Sequence, residues 1–432
     1  MNDFKDLPNN YECVKFISQG RYSSVMLAKD TQLIDEDSQQ PKTVAIKRLT
    51  FRTFTSSKYA ERALREITYL DELYYSYHIA DYCKVLPHWT LKTVYIVTEY
   101  CHNDLKRILK SQFDQGKRLN WQQISRIMHQ VVCGLKYLHS AGLVLGNLKA
   151  EDICVDTEST FYTKITDLSL CRRSNQRVKE SFDDYPYDDN IPEEDDTLIQ
   201  VEYDRAPELI LGYASQTYAS SMDMWDLGII LGEMIFCHPW IDSQIPLITI
   251  KSIARLIGKF PDLNILDEDL RSFWSSGDHL NLERLLTSNS PGSLREDLLN
   301  GKPGNIDALS PLEGYTPFKN QFRYMCTNKN GEVLDEAKSD ELFNLYVDMI
   351  SKLLVWIPTN RPSADEILDH QFFRWFDDQI VDRKEERTFG EDQEEIIKNS
   401  DVKYASDIES NKSVEYYKSK ILDIIYNPPQ FE

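Results

Sequence analysis

Leu143 to Asp152 reads L-V-L-G-N-L-K-A-E-D, between Tyr137-Leu138-His139-Ser140 before it and Ile153-Cys154-Val155 after it. Upstream, Ile124, Ile127, Met128, Val131, Val132, Leu135 and Leu138 recur at helical spacing, so Trp121 to Ser140 is a long amphipathic helix that delivers the stretch. Asn147, Lys149, Glu151 and Asp152 are its polar side chains. Asn147 carries a neutral amide, which can orient a hydroxyl but cannot take its proton.

Working outward, further stretches follow a fixed order. Tyr11 to Asp30 alternates as strand, turn and strand, and its turn reads Ser18-Gln19-Gly20-Arg21-Tyr22-Ser23-Ser24-Val25. The polar segment Thr31 to Lys42 is expected as an exposed connection. Val44-Ala45-Ile46-Lys47 sits on a third strand, and an amphipathic helix with Ala60, Ala63, Leu64, Ile67 and Leu70 on one face carries Glu66. A buried strand, Val94 to Thr98, runs into Glu99-Tyr100-Cys101. Lys164-Ile165-Thr166-Asp167-Leu168-Ser169-Leu170 lies downstream, and Arg205-Ala206-Pro207-Glu208 closes the segment after it. Met222 to Phe236 opens with Met222-Asp223-Met224-Trp225 and is almost wholly apolar, hence a buried helix. Pro358-Thr359-Asn360-Arg361-Pro362 comes late.

Six such motifs in one order resemble the eukaryotic protein kinases, and within them the MAP kinases, particularly the fungal cell-wall-integrity type. The resemblance covers roughly Tyr11 to Asp382 and the last helix. It implies an α+β bilobal fold, with a small antiparallel-sheet N-lobe over residues 1–100 and a larger helical C-lobe over 101–382. It further implies a long activation segment (167–208), a divergent insert (258–338), an acidic linker (383–412) expected to be disordered, and a terminal helix (413–427) folded back on the N-lobe. In that family ATP and magnesium are held by a glycine-rich loop, a strand Lys paired with a helix Glu, a hinge and two metal ligands. Residue by residue, the resemblance places cofactor contacts at Ser18, Gly20, Ser23, Val25, Ala45, Lys47, Glu66, Thr98, Glu99 and Cys101, with metal ligands at Asp152 and Asp167. Read alone, Lys47 and Glu66 would be ordinary surface residues; the wider match overturns that.

The departures fall on the chemistry. Leu145, Gly146 and Asn147 stand for the family's His, Arg and catalytic Asp, while Lys149 is kept. Asp152 replaces an Asn, and Leu168-Ser169 replace Phe-Gly. Only Gly20 remains of three glycines, so the phosphate cradle is poorer. Leu145, Leu168 and Leu70 are expected to stack as an apolar column. Counting back from Arg205 puts Asp196-Thr197-Leu198 where MAP kinases carry their phosphorylated T-x-Y, and Val201 and Glu202 alter the substrate pocket. Gly146 removes the Arg that would hold such a phosphate, so donor and acceptor of one switch are missing together. The structural marks Glu208, Asp223 and Arg361 are intact.

Composition sets the surroundings. The chain has 432 residues, 41% of them hydrophobic, enough for two sizeable cores. Net charge is −21, which argues against nucleic-acid or anionic-membrane binding. The acidity either keeps the protein soluble or docks basic peptides. No apolar run reaches membrane-span length, the N-terminus lacks the apolar core of a signal peptide, and eight scattered Cys with no metal-like C-x-x-C pair read as a reducing cytosol or nucleus. Asp183 to Asp196 holds eight carboxylates, a solvated run. Ser290, Ser310 and Thr316 each precede proline and are either kinase sites or turn starters. Asp377, Asp378 and Asp382 match the docking acids of MAP kinases, or are plain solvated acids. Val414, Tyr417, Ile421, Ile424 and Ile425 form a terminal helical stripe. The function implied is a MAP-kinase-like pseudokinase, a monomer that docks or scaffolds an active MAP kinase, its upstream kinase and its transcription factor. The alternative is an atypical active Ser/Thr kinase.

Overall fold

The computed structural model describes residue 4 and residues 7–19, 23–35, 39–49, 53–73, 77–80, 82–88, 93–156, 161–174, 206–211, 219–237, 239, 241, 246–258, 260, 336–377, 408 and 412–426. Two compact units emerge: residues 1–103, 154–171 and 390–432 form one, and residues 104–153 and 172–389 the other.

The first unit is built on a five-stranded sheet. Strands β1 (Tyr11–Gln19), β2 (Ser23–Ile34), β3 (Pro41–Leu49), β4 (Tyr82–His88) and β5 (Thr93–Glu99) lie in the order β1-β2-β3-β5-β4, with every neighbouring pair antiparallel. Met26 and Ala28 of β2, Val44 and Ile46 of β3, and Tyr95 and Val97 of β5 point to one face, as alternation requires. There they form a core with Phe4 and Tyr11. Thr93 to Val97 is buried throughout, because β5 is an interior strand covered on both faces. The segment read as a connection from Thr31 is instead strand as far as Ile34, and β3 resumes at Pro41. Asp30 is the reason: its carboxylate accepts from Asn10 Nδ2 at 2.9 Å and from the Gln32 amide at 3.0 Å, so the polar sequence is paired rather than loose.

Helix α1 (Ser57–Glu72) buries Ala60, Ala63, Leu64, Ile67 and Leu70, the face its spacing predicts. The terminal helix, called α10 below (Val414–Tyr426), belongs to this unit and packs on α1 and β4. Its Tyr417 is buried and donates to Glu61 Oε2 of α1 at 3.1 Å. Short strands follow along the chain, β6 (Asn103–Asp104), β7 (Leu143–Val144), β8 (Ile153–Asp156) and β9 (Tyr162–Ile165), and of these β8 and β9 pair with each other.

The second unit is helical: α2 (Leu105–Asp114), α3 (Trp121–Ser140), α4 (Pro207–Leu211), α5 (Ser220–Phe236), α6 (Pro246–Ile257), α7 (Glu336–Leu353), α8 (Ala364–Leu368) and α9 (Gln371–Asp377). Helix α3 starts at a capping box, in which Asn120 and Gln123 each satisfy the other's amide. Every residue of α5 from Met222 to Phe236 is buried. At Gly228 a β-carbon would lie 2.7 Å from a Leu354 methyl, so α5 requires glycine where the end of α7 crosses it. Trp121, Tyr346 and Phe372 meet edge to face, and Tyr346 donates to the Leu231 carbonyl at 2.7 Å. Helix α7 begins inside the stretch read as a divergent insert, whose residues 261–335 lie outside the described ones. No described helix is long and apolar enough to cross a membrane.

Candidate nucleotide and catalytic sites

Within the first unit, β3 and α1 bring Lys47 and Glu66 together. Lys47 Nζ lies 2.5 Å from Glu66 Oε1 and 3.2 Å from Asp167 Oδ1. The register explains the reach, since Val25 stands opposite Lys47, and Ala45 opposite Thr98. Asp167 Oδ1 also accepts the Ser169 amide at 2.9 Å, and Arg62 of α1 donates to Ser169 Oγ at 2.8 Å. Burial alone would lower the Lys47 pKa, but the Asp167 and Glu66 carboxylates outweigh it and hold the amine well above its usual value. Asp167 moves the other way: burial would raise it, yet Lys47 and Arg62 hold it well below the carboxylate range. Glu66 remains raised, because its burial exceeds what Lys47 returns. One ammonium shared by two carboxylates is a charged group ready to exchange partners.

Strand β5 ends at the hinge. Glu99 accepts from Lys164 Nζ of β9 at 2.5 Å, and that ammonium lies 5.5 Å from the centre of the Tyr162 ring. Cys101 is bonded to Cys154 of β8, with Cα atoms 6.0 Å apart. The reading of scattered cysteines in a reducing compartment named no such bond: residues 53 apart in sequence become neighbours only through the fold. Ser18 and Ser23 flank the turn of the β1–β2 hairpin, where Ser24 donates to Gln19 at 3.0 Å and receives Arg48 at 3.1 Å. Gly20 lies outside the described residues.

Within the second unit, Asp223 frames the loop that carries Asn147. Its carboxylate accepts the amides of Leu145 at 2.9 Å and Gly146 at 2.7 Å, and lies 2.8 Å from His139 Nε2. Asp226 accepts the Leu148 amide at 2.9 Å. Gly146 takes a φ of +79°, which the arginine of the family pattern would adopt only under strain. Asn147 is half-buried, Lys149 lies 3.9 Å from Glu151, and Asp152 is buried on a single 3₁₀ turn, Ala150–Asp152. Leu145, Leu168 and Leu70 are each buried.

Deeper in this unit, Arg361 meets Glu208 through two bonds of 2.6 and 2.7 Å. It also donates to the carbonyls of Ser221 at 2.9 Å and Val355 at 3.1 Å, and lies 5.0 Å from the Trp225 ring centre. Residues 175–205, with Asp196, Thr197, Leu198, Val201 and Glu202, lie outside the described residues, as do Asp378 and Asp382. Asp377 ends α9.

Sequence reading passed over Arg62, Lys164, Asp226, His139 and Cys154. Lys164 and Asp226 sat inside quoted motifs, and a count of polar positions on buried segments would have flagged both. Nothing local marked Arg62 or Cys154.

Among known proteins, the protein kinase domain family matches residues 11–373. The mitogen-activated protein kinase spm1 of Schizosaccharomyces pombe is 26% identical over 84% of this chain and 75% of its own. HOG1 of Colletotrichum orbiculare is 26% identical, and hog-1 of Neurospora crassa 27%, each over 85% of both chains.

Proposed function

We propose that this chain, which belongs to the protein kinase family and is similar to MAP kinases, acts as a docking or scaffolding partner in a MAP kinase pathway of the cell-wall-integrity type rather than as an efficient phosphotransferase. The observation that carries the reading is the loop at Asn147. Asp223 and Asp226 hold its backbone in place, yet the group it presents is an amide. The frame serves the fold, and the proton acceptor is missing. Loss of a general base alone costs roughly 10²–10⁴ in rate.

Nucleotide binding fits the residues present. Lys47 would meet phosphate oxygens, Glu66 would steady Lys47, and Glu99 to Cys101 would offer backbone groups to the base. Asp152 and Asp167 supply the oxygen donors magnesium prefers. When bound, ATP with magnesium would supply a transferable phosphoryl group. What this chain contributes is grip without a proton acceptor. Ten times its dissociation constant of MgATP should stabilise the fold by about 1.4 kcal/mol. In this reading the chain works in cytoplasm and nucleus, and Asp377, Asp378 and Asp382 would receive basic docking segments of an active MAP kinase, its upstream kinase or a transcription factor.

The test is labelled-phosphate transfer by wild type, Asn147→Asp, and a triple variant Leu145→His, Gly146→Arg, Asn147→Asp. Negligible turnover is expected from wild type and from the single variant, because grouped catalytic residues do not act additively. The intact Lys47, Glu66 and Asp167 cluster favours one rival, an atypical active Ser/Thr kinase. Robust wild-type turnover abolished by Asp167→Ala would establish that rival instead.

A further inference from the structure

The hinge is tied at two neighbouring points by two different kinds of bond. Glu99 is held to β9 by an ion pair with Lys164, which no oxidant or reductant alters. Cys101 is held to β8 through Cys154, a bond that two electrons make or break. Both sulfurs belong to half-buried residues, within reach of small oxidants and thiols. Among the other described cysteines, Cys13, Cys133, Cys171 and Cys237 form no disulfide. The 6.0 Å between the two Cα atoms lies in the range a disulfide needs, so forming the bond asks little movement of either segment. Opening it leaves the Cys101 thiol a partner already in place, the Asn103 carbonyl oxygen at 3.2 Å.

We propose that Cys101 and Cys154 form a reversible redox latch on the nucleotide site, closed to the base when oxidised and open when reduced. The proposal rests on the nucleotide-binding part of the reading above. Closing oxidises two thiols: the two S–H bonds and the peroxide O–O bond break, the S–S bond forms, and two protons and two electrons pass to hydrogen peroxide, giving two waters. Opening consumes two equivalents of a low-molecular-weight thiol, which leave as their own disulfide. Intracellular disulfides are for the most part transient or regulatory, and a half-buried one beside a ligand site belongs to that class.

Geometry sets the sign. The base is expected to meet the backbone of Glu99 to Cys101, and the oxidised latch ties that backbone to β8 at a Cα spacing of 6.0 Å. Reduction frees the hinge backbone to adjust to a base, whereas the covalent tie holds it where it stands.

The experiment uses the full chain, purified under thiol, then divided into a reduced sample and one treated with hydrogen peroxide. Alkylation and peptide mapping read the latch, and titration with a fluorescent ATP analogue in magnesium reads the site. The expected result is a Cys101–Cys154 linked peptide only after peroxide, binding at least tenfold weaker in that sample, and recovery on adding thiol. Cys154→Ser should bind equally with and without peroxide. Equal or tighter binding by the oxidised wild type overturns the latch while leaving nucleotide binding standing. Binding by neither sample overturns the nucleotide reading, and the latch with it. Both cysteines alkylated after peroxide overturns the bond itself.

Discussion

Two charged clusters, one in each unit, are built on opposite principles. Glu208 and Arg361 match one to one, through two short parallel bonds, and the remaining guanidinium protons are spent on two carbonyls. Nothing there is left over for a ligand. Lys47 is divided between Glu66 and Asp167, and all three carry displaced pKa values. A saturated pair fixes the fold. A cation shared between two carboxylates, with a donor to spare and displaced pKa values, is where binding can take place.

The largest test of this contrast is Arg361→Ala. It strands Glu208 in the interior, and breaking a buried pair from one side costs about 3–5 kcal/mol. Denaturant unfolding should show that loss, and Arg361→Lys should recover only part of it, since an ammonium cannot make the two parallel bonds. A loss under about 1 kcal/mol would show the pair to be no more structural than a surface contact.

The first unit should instead answer to pH. His78 lies 3.3 Å from the Thr163 carbonyl through Nδ1, and burial, with Lys164 nearby, pushes it down to about 4. A folded value below the unfolded one means that the unfolded state takes the proton first. Stability should therefore fall as pH drops from about 6.5 towards 4, by about 2 kcal/mol once partial exposure is allowed for. His78→Gln should flatten that limb, and an unchanged limb would remove His78 from the account.

A smaller effect of opposite sign belongs to Glu66. Its raised value means the folded state keeps the proton longer, so stability should decline as pH rises above the unfolded value of 4.5. Asp167, held low, contributes stability that disappears only as pH falls below its unfolded 3.8. The two windows do not overlap, so Glu66→Gln should remove the first and spare the second. Carboxyl titration followed by NMR would separate them. Loss of both windows together would mean the three groups titrate as one.

Smallest of all, Lys106 and Glu151 pair at the surface, with side chains 57% and 43% exposed. Lys106→Ala should cost less than about 1 kcal/mol, and less still at high salt. A larger loss would break the rule that separates saturated interior pairs from solvent-screened ones.

The chain announces its elements plainly. The stripes on α1 and α3 and the all-apolar α5 are periodic, and periodicity is local information that a helix turns directly into a buried face. The alternation in β2 and β3 does the same for a sheet. Lys47, Glu66 and Asp167 could be picked out because each stands inside a recognisable run of neighbours. The polar stretch beyond Asp30 misled, because strand pairing there is decided by a partner strand and by Asn10, 20 positions upstream.

What the sequence alone determined, then, is the alphabet of the site: an amide at 147, a lysine at 47, acids at 66, 152 and 167, and glycine where an arginine would brace a phosphate. Those identities are covalent facts and set which proton transfers are available. Only the tertiary structure decided which groups share a charge. Lys47 meets an acid 120 residues away, Lys164 claims Glu99, and Cys101 finds Cys154. Coulomb attraction and bond formation depend on distance through space, and separation along the chain says almost nothing about that until the sheet has closed.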